Sequence, residues 1–263
     1  MLPTEVQNLI NAYLNLEING KTVRTPYYRN VKRVRAELRS LVGKGTPSEI
    51  IEETKIYAKL RGFKFRKASE QDIRKFMMSQ GLGIDCSGLV AHLYDHWLMS
   101  INKGTLYQSL NFSQRRSLYK RFVTWLRPIE HMGANLLSSK QNSDPVDLCD
   151  ICPGDMIRLK GLRGGHHLAL VTEVTYDDEQ KPVSFRYVQS TPYYGDQNGV
   201  RISEVKVVDC DKSLRVQEWC DPDEGDTCPA YKQLLKDFED NGSRRPKFLA
   251  DEITQLKSRQ VSD

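Results

Sequence analysis

The stretch from Gly83 to Leu98, "GIDCSGLVAHLYDHWL", places a cysteine where a helix-like pattern begins. Unpaired backbone N–H groups and the helix dipole stabilise a thiolate at a helix N-terminus, so Cys86 is a candidate nucleophile. Asp85 and Ser87 suit the capping turn, where they would support the nucleophile, and Gly88 permits another segment to approach closely. The simpler alternative is packing, because free cysteine is often buried.

A nucleophilic thiol needs a base, and two adjacent histidines open a strand-like segment downstream. Strand alternation places His167 and Ala169 on one face and His166 and Leu168 on the other. The small Ala169 leaves room for a helix to pack closely. We therefore expect His167 to be the base, on the face where the helix that carries Cys86 packs, with His166 as the alternative base.

The base in turn needs a group that orients its ring. Gln189 is a polar residue in the otherwise β-prone segment "FRYVQST". A side-chain amide oxygen can accept the second ring N–H of a histidine and so fix its tautomer. Gln189 is therefore the expected third member of the site, and Ser190 and Tyr187 are weaker alternatives.

The remaining histidines and cysteines are weaker candidates for metal ligands. His92 and His96 have i, i+4 spacing but lack the glutamate of an HExxH motif, so we expect them on an exposed helix face, pointing away from Cys86. Cys149 and Cys152 form "CDIC", but no second pair has the short spacing of a zinc site. Free thiols are the favoured interpretation there and among the later cysteines, but spacing alone leaves disulfide-bonded and metal-bound states open; no cofactor is expected. The later cysteines are Cys210, Cys220 and Cys228.

Bulk composition excludes several classes of protein. The 263 residues carry 39 Lys and Arg against 34 Asp and Glu, a net charge of +5, which permits anionic partners but does not indicate nucleic-acid binding. No apolar run approaches the ~20 residues of a membrane span. The first twenty residues lack the pattern of a secretory signal, so we expect a cytoplasmic protein unless it is exported by another route.

Helical patterns come first along the chain, and segments of period two follow Pro153. This order indicates an α+β fold in which helices precede an antiparallel sheet. Helices are expected within "YRNVKRVRAELRSLVGKG", "TPSEIIEETKIYAKLRG" and "SQRRSLYKRFVTWLRP", and a hairpin at Asn19 and Gly20. The expected divisions are a helical N-terminal region (1–62), a catalytic domain (63–250) with a helical insertion (about 100–148), and a tail (251–263).

Four short stretches, in their order along the chain, resemble the motifs of a known protein family. They are "DCSGLV" (Asp85–Val90), "PGDMIRL" (Pro153–Leu159), "HLALV" (His167–Val171) and "YVQST" (Tyr187–Thr191). This succession resembles the NlpC-type cysteine peptidases of the papain-like superfamily, to which the CHAP amidases are related. The resemblance spans about residues 80–210.

The resemblance implies a papain-like fold and cleavage of peptide or amide bonds through a thioacyl-enzyme, in peptidoglycan stem peptides. It makes Cys86 the nucleophile, His167 the base and Gln189 the third member, with backbone N–H groups at the helix start contributing to the oxyanion hole. The expected partner is a peptide or a peptidoglycan fragment. The alternatives are a papain-like acyltransferase and a non-catalytic binding module. In lecithin-retinol-acyltransferase-like proteins the histidine precedes the cysteine, the reverse of the order here.

Overall fold

The computed structural model describes residues 1–29, 39–112, 127–160, 166–220, 228–234 and 241–260. Half of the basic helix expected within residues 28–45 lies outside these ranges, as does nearly all of the helix expected within residues 113–128.

Helices form where capping residues and breakers bound an apolar pattern. Thr46 and Glu49 form a capping box before one helix, Ser69 and Asp72 form another, and the left-handed Gly62 and Gly81 end these two helices. The helices are α1 (Thr4–Leu14), α2 (Pro47–Arg61), α3 (Glu70–Gln80), α4 (Cys86–Ser100), α5 (Leu106–Ser109), α6 (Ala134–Leu137), α7 (Pro229–Leu234) and α8 (Ala250–Gln260). Short 3-10 turns cover Arg39–Val42, Phe65–Lys67, Ile129–His131, Leu148–Asp150, Gly195–Gln197 and Lys247–Leu249.

The strands form a small hairpin and a seven-stranded sheet within the described ranges. Asn19 and Gly20 have positive φ angles at the turn of the hairpin, as expected for a tight Asn-Gly connection. The sheet has the order β3-β9-β4-β5-β6-β7-β8, and every pairing in it is antiparallel, which confirms the α+β class. The strands are β1 (Leu16–Ile18), β2 (Lys21–Val23), β3 (Ser143–Pro145), β4 (Met156–Lys160), β5 (His166–Tyr176), β6 (Pro182–Thr191), β7 (Gly199–Lys206), β8 (Glu218–Cys220) and β9 (Gly242–Pro246).

The main core lies between α4 and the sheet. Apolar residues of α4 pack with the β5 residues Leu168 and Leu170, while Ala169 and Val171 belong to a second cluster on the opposite sheet face. The N-terminal region belongs to the main core rather than to a separate one, since buried residues of α1 lie in the same cluster as α4. The α1 residues are Val6, Ile10 and Tyr13, and those of α4 are Leu89, Leu93 and Trp97.

The chain beyond residue 250 differs from the expected tail. Residues 250–260 form α8, and Ile253 is fully buried in the main core. An added Cβ at Gly154 would lie 2.8 Å from both Ile253 and Trp97. Three segments therefore meet in close contact here: α4, α8 and the turn that precedes β4. No helix in the described ranges is both long and apolar enough to span a membrane.

Candidate active site

The N-terminus of α4 has the capping structure expected from the sequence. Asp85 is the N-cap, and its Oδ1 accepts a hydrogen bond from the backbone N–H of Gly88 at 2.6 Å. The Ser87 hydroxyl donates to the same oxygen at 2.9 Å. Cys86 is therefore the first residue of the helix, where unpaired N–H groups concentrate.

Gly88 is required by a close contact with the N-terminal region. A Cβ at this position would lie 2.5 Å from the carbonyl oxygen of Gly43. That oxygen also accepts a hydrogen bond from the backbone N–H of Asp85 at 2.9 Å. The close approach expected at Gly88 is confirmed, and the approaching segment comes from the N-terminal region.

The thiol of Cys86 lies against the first residues of β5. Its Sγ is 3.9 Å from the carbonyl oxygen of His166 and also accepts a hydrogen bond from the backbone N–H of Leu168. These two backbone groups flank His167. The structure therefore brings the candidate nucleophile beside the segment that carries the candidate base, and only 8% of Cys86 is exposed.

The ring of His167 is oriented by Gln189, as the sequence predicts. His167 Nε2 lies 2.7 Å from Gln189 Oε1. An amide oxygen only accepts hydrogen bonds, so Nε2 carries the proton and Nδ1 is the nitrogen that can act as a base. The Gln189 amide group donates in turn to the Ser203 hydroxyl at 3.4 Å.

The predicted alternation along β5 is confirmed, but the packing argument drawn from it is wrong. Leu168 packs with α4, whereas Ala169 packs in the second cluster, so α4 lies on the face of His166 rather than on that of His167. Cys86 meets the base segment through the backbone at the start of the strand. Ala169 thus does not make room for α4.

The alternative base, His166, has a different partner. A guanidinium nitrogen of Arg158 lies 3.0 Å from His166 Nδ1, and Arg158 also bonds Ser138 and Asn135 near α6. An arginine can only donate, so this ring nitrogen accepts. His166 is thereby held by a buried cation, while His167 has the orienting amide.

The acidity of the two groups differs from the sequence expectation. Burial, followed by the nearby Asp85 carboxylate, raises the pKa of Cys86 to about 11, although the N–H of Leu168 and the ammonium group of Lys44 act in the opposite direction. Burial lowers the pKa of His167 below 6.5. The expected low thiol pKa is therefore wrong for this conformation, and the resting pair at neutral pH is a neutral thiol and a neutral imidazole.

Sequence reasoning missed two residues near the thiol, both from the N-terminal region. Lys44 is buried, and its Nζ lies 2.9 Å from Asp85 Oδ1. Tyr27 pairs with Ile84, and burial and the Cys86 thiolate raise its pKa. Lys44 lies in a "GKG" stretch that resembles an ordinary helix end, so only the tertiary contact identifies it.

The two histidines of α4 have different environments. His96 is exposed as expected, but His92 is buried, and its Nε2 bonds the carbonyl oxygen of Lys44 at 2.8 Å. The exposed position expected for His92 is therefore wrong. The ring packs beside the N-terminal segment, where its centroid lies 6.4 Å from that of the Tyr13 ring.

The cysteines are not all free. Cys149 and Cys210 form a disulfide across 61 residues of sequence, which corrects the expectation of free thiols at these positions. Their sulfur atoms and Asp211 make up the group of possible metal ligands in the described ranges, and two of those three are consumed by the disulfide. The cysteines that form no disulfide in the described residues are Cys86, Cys152, Cys220 and Cys228.

The "PGD" turn fixes β4 against its neighbours. Asp155 is fully buried and forms a two-point ion pair with Arg245 at 2.9 Å for each bond. The hydroxyl of Tyr94 in α4 donates to the carbonyl oxygen of Gly154 at 2.8 Å. This turn therefore sets the position of the sheet relative to the helix that carries the thiol.

Comparison with known proteins adds no assignment. No family model matches the chain, and no curated protein matches it. The function has to be inferred from the residues and geometry described above.

Proposed function

We propose that the protein is a cysteine hydrolase of papain-like type that cleaves peptide or amide bonds through a thioacyl-enzyme. Cys86 is the nucleophile, His167 the base and Gln189 the group that orients the base. One observation carries the proposal: the thiol contacts backbone groups on both sides of His167, while Gln189 fixes the ring so that Nδ1 is its basic atom. The substrate class favoured by the motif resemblance is the peptidoglycan stem peptide.

The neutral resting pair defines the order of proton transfers. His167 Nδ1 takes the thiol proton as the sulfur bonds to the substrate carbonyl carbon, and the imidazolium gives that proton to the departing amine as the C–N bond breaks. A water molecule, deprotonated by the same ring, then cleaves the thioester and regenerates the thiol. General base catalysis of this kind contributes about 10²–10⁴ to the rate.

Backbone N–H groups at the start of α4 supply the electrostatic part of the mechanism. The N–H of Ser87 already bonds the thiol of Cys86, close to where the substrate oxygen would become negatively charged during attack. A donor in such a position contributes about 10²–10³ to kcat. Asp85 and Ser87 support these groups by closing the capping turn.

The test is hydrolysis of purified peptidoglycan fragments, with the products identified by mass spectrometry. Cys86→Ala should abolish cleavage and leave the fold intact. Cys228→Ala is the matched control, because Cys228 is also a buried cysteine outside the disulfide but lies beside Tyr187 in the second core cluster. Cleavage by the Cys86→Ala variant would disprove the proposal.

A second pair of variants tests the base. His167→Ala should lower kcat by about 10²–10⁴, whereas His166→Ala should retain turnover if it folds. The opposite result would assign the base to His166. Adding an amine acceptor to the same assay distinguishes hydrolysis from acyl transfer, because a transferase would yield the new amide.

One observation favours a second candidate, a non-catalytic binding module. The raised pKa of Cys86 is the property of an inert buried thiol. A binding module would bind the fragments without releasing products, and Cys86→Ala would leave that affinity unchanged. Product release by the wild-type protein separates the two candidates.

A further inference from the structure

A buried lysine lies beside the candidate nucleophile. Only 6% of Lys44 is exposed, and its Nζ contacts Asp85 Oδ1 at 2.9 Å, Ser87 Oγ at 2.6 Å and the carbonyl oxygen of Met132 at 3.3 Å. Lysine is rarely buried unless its charge is paired. Two of these three partners are the residues immediately before and after Cys86.

The backbone of Lys44 is held as firmly as its side chain. It forms an antiparallel bridge with Ile84, and its carbonyl oxygen is bonded by His92 Nε2 at 2.8 Å. Burial lowers the pKa of His92, so the ring is neutral and donates from this nitrogen. The lysine is thus fixed on one side by the segment that precedes α4 and on the other by α4 itself.

We propose that Lys44 is a positioning residue for the nucleophile: its ammonium group holds Asp85 and Ser87 on either side of the thiol and balances the negative charge of the Asp85 carboxylate. This inference rests on the proposed role of Cys86. It extends the site to the N-terminal region, which supplies one of its charges.

The charges around the thiol determine how reactive it is, and this reactivity can be measured. The titratable or charged groups that act on Cys86 or respond to it are Asp85, Lys44 and Tyr27, while His167 interacts with the Asp85 carboxylate. The Asp85 carboxylate disfavours the thiolate, and the Lys44 ammonium favours it. Removing either charge must therefore change the reactivity of the thiol, with opposite signs.

The experiment measures alkylation of Cys86 by iodoacetamide at pH 8, followed by mass spectrometry of the Cys86 peptide. Below its pKa, the thiol reacts in proportion to its thiolate fraction. Lys44→Gln should slow the reaction about tenfold, which corresponds to a rise of about one pKa unit. Asp85→Asn, which retains the capping oxygen, should accelerate it, and the double variant should return towards the wild-type rate.

Two further variants serve as controls. Lys44→Arg keeps the charge and should stay near the wild-type rate. Lys75→Gln removes an exposed lysine of α3 from a 3.3 Å ion pair with Asp196; this lysine is not among the charges that act on Cys86, so the variant should change nothing. If Lys44 were merely structural, Lys44→Gln and Asp85→Asn would change the alkylation rate in the same direction. The double variant would then not return towards the wild-type rate.

The outcomes separate this inference from the proposed function. If Lys44→Gln shows the wild-type alkylation rate and the wild-type kcat while cleavage still requires Cys86, the role of Lys44 is disproved. The proposed hydrolase function is unaffected by that result. Cleavage by Cys86→Ala would remove the hydrolase instead. If Lys44→Gln does not fold, Asp85→Asn decides the question, because an unchanged or slower reaction there overturns the inference.

Discussion

Replacing Gln189 with alanine removes the hydrogen bond that orients the His167 ring. The two atoms are 2.7 Å apart, and both side chains are buried, with exposed fractions of 7% for His167 and 2% for Gln189. Water therefore does not readily replace the lost acceptor. The ring N–H is left without a partner, and the tautomer with a basic Nδ1 loses its preference.

The size of the effect follows from the burial of this pair. A buried donor left unsatisfied costs about 1–3 kcal/mol. When this cost is felt in the transition state, kcat/KM falls by about 5- to 150-fold, since each 1.4 kcal/mol is a factor of about ten. The upper end applies to Gln189→Ala, because the ring also becomes free to rotate.

The assay is kcat/KM for cleavage of a peptidoglycan fragment across pH, with two companion variants. Gln189→Glu keeps an acceptor in place, and its negative charge should raise the pKa of His167. The base must be unprotonated, so the acid limb of the pH profile should move to higher pH. Ser203→Ala removes the 3.4 Å contact behind Gln189 together with a hydrogen bond to Tyr187, leaves the Gln189–His167 bond in place, and should have a smaller effect. Wild-type kcat/KM in Gln189→Ala, with an unshifted profile in Gln189→Glu, would refute the orienting role.

Three further predictions concern stability. Gly88→Ala should destabilise the fold by about 1–3 kcal/mol in urea unfolding, because its Cβ would meet the carbonyl oxygen of Gly43 at 2.5 Å; a gain from helix propensity alone would contradict this. Burial lowers the pKa of His92 from 6.5, so the unfolded chain binds the proton more tightly than the folded protein, and stability is lost as pH falls below 6.5. His92→Gln should therefore reduce the fall in Tm between pH 7 and pH 5. An unchanged fall in Tm would show that His92 does not contribute. Replacing Cys149 and Cys210 with serine should cost about 4 kcal/mol without reductant for a crosslink across 61 residues, and reduced wild-type protein should match the variant.

Features that depend on neighbouring residues were predictable from the sequence. Asp85 caps α4, the Asn19 turn closes the hairpin, and the alternation along β5 separates His166 from His167. The hydrogen bond between Gln189 and His167 was also predictable, since an isolated amide in an apolar strand needs a partner. Each of these follows from local conformation or from residue chemistry at short range.

Features that depend on which segments meet in space were not predictable. The apolar pattern of α4 defines one face of the helix but does not show which face of the sheet it packs against. The prediction that α4 packs on the face of Ala169 was therefore wrong. Burial of His92 and Lys44 arises from contact between segments 48 residues apart in the chain. The disulfide partner of Cys149 lies still further away, and spacing alone does not select it.

The burial of the thiol has a consequence for how the protein withstands oxidants. With a pKa of about 11, Cys86 carries a thiolate in only about one molecule in 10⁴ at pH 7. Oxidation to sulfenic acid follows thiolate character and exposure, and both are low at this position. The Cys86 thiol is thus in a form that peroxides attack slowly, so we expect it to stay reduced under oxidising conditions in which the Cys149–Cys210 disulfide persists.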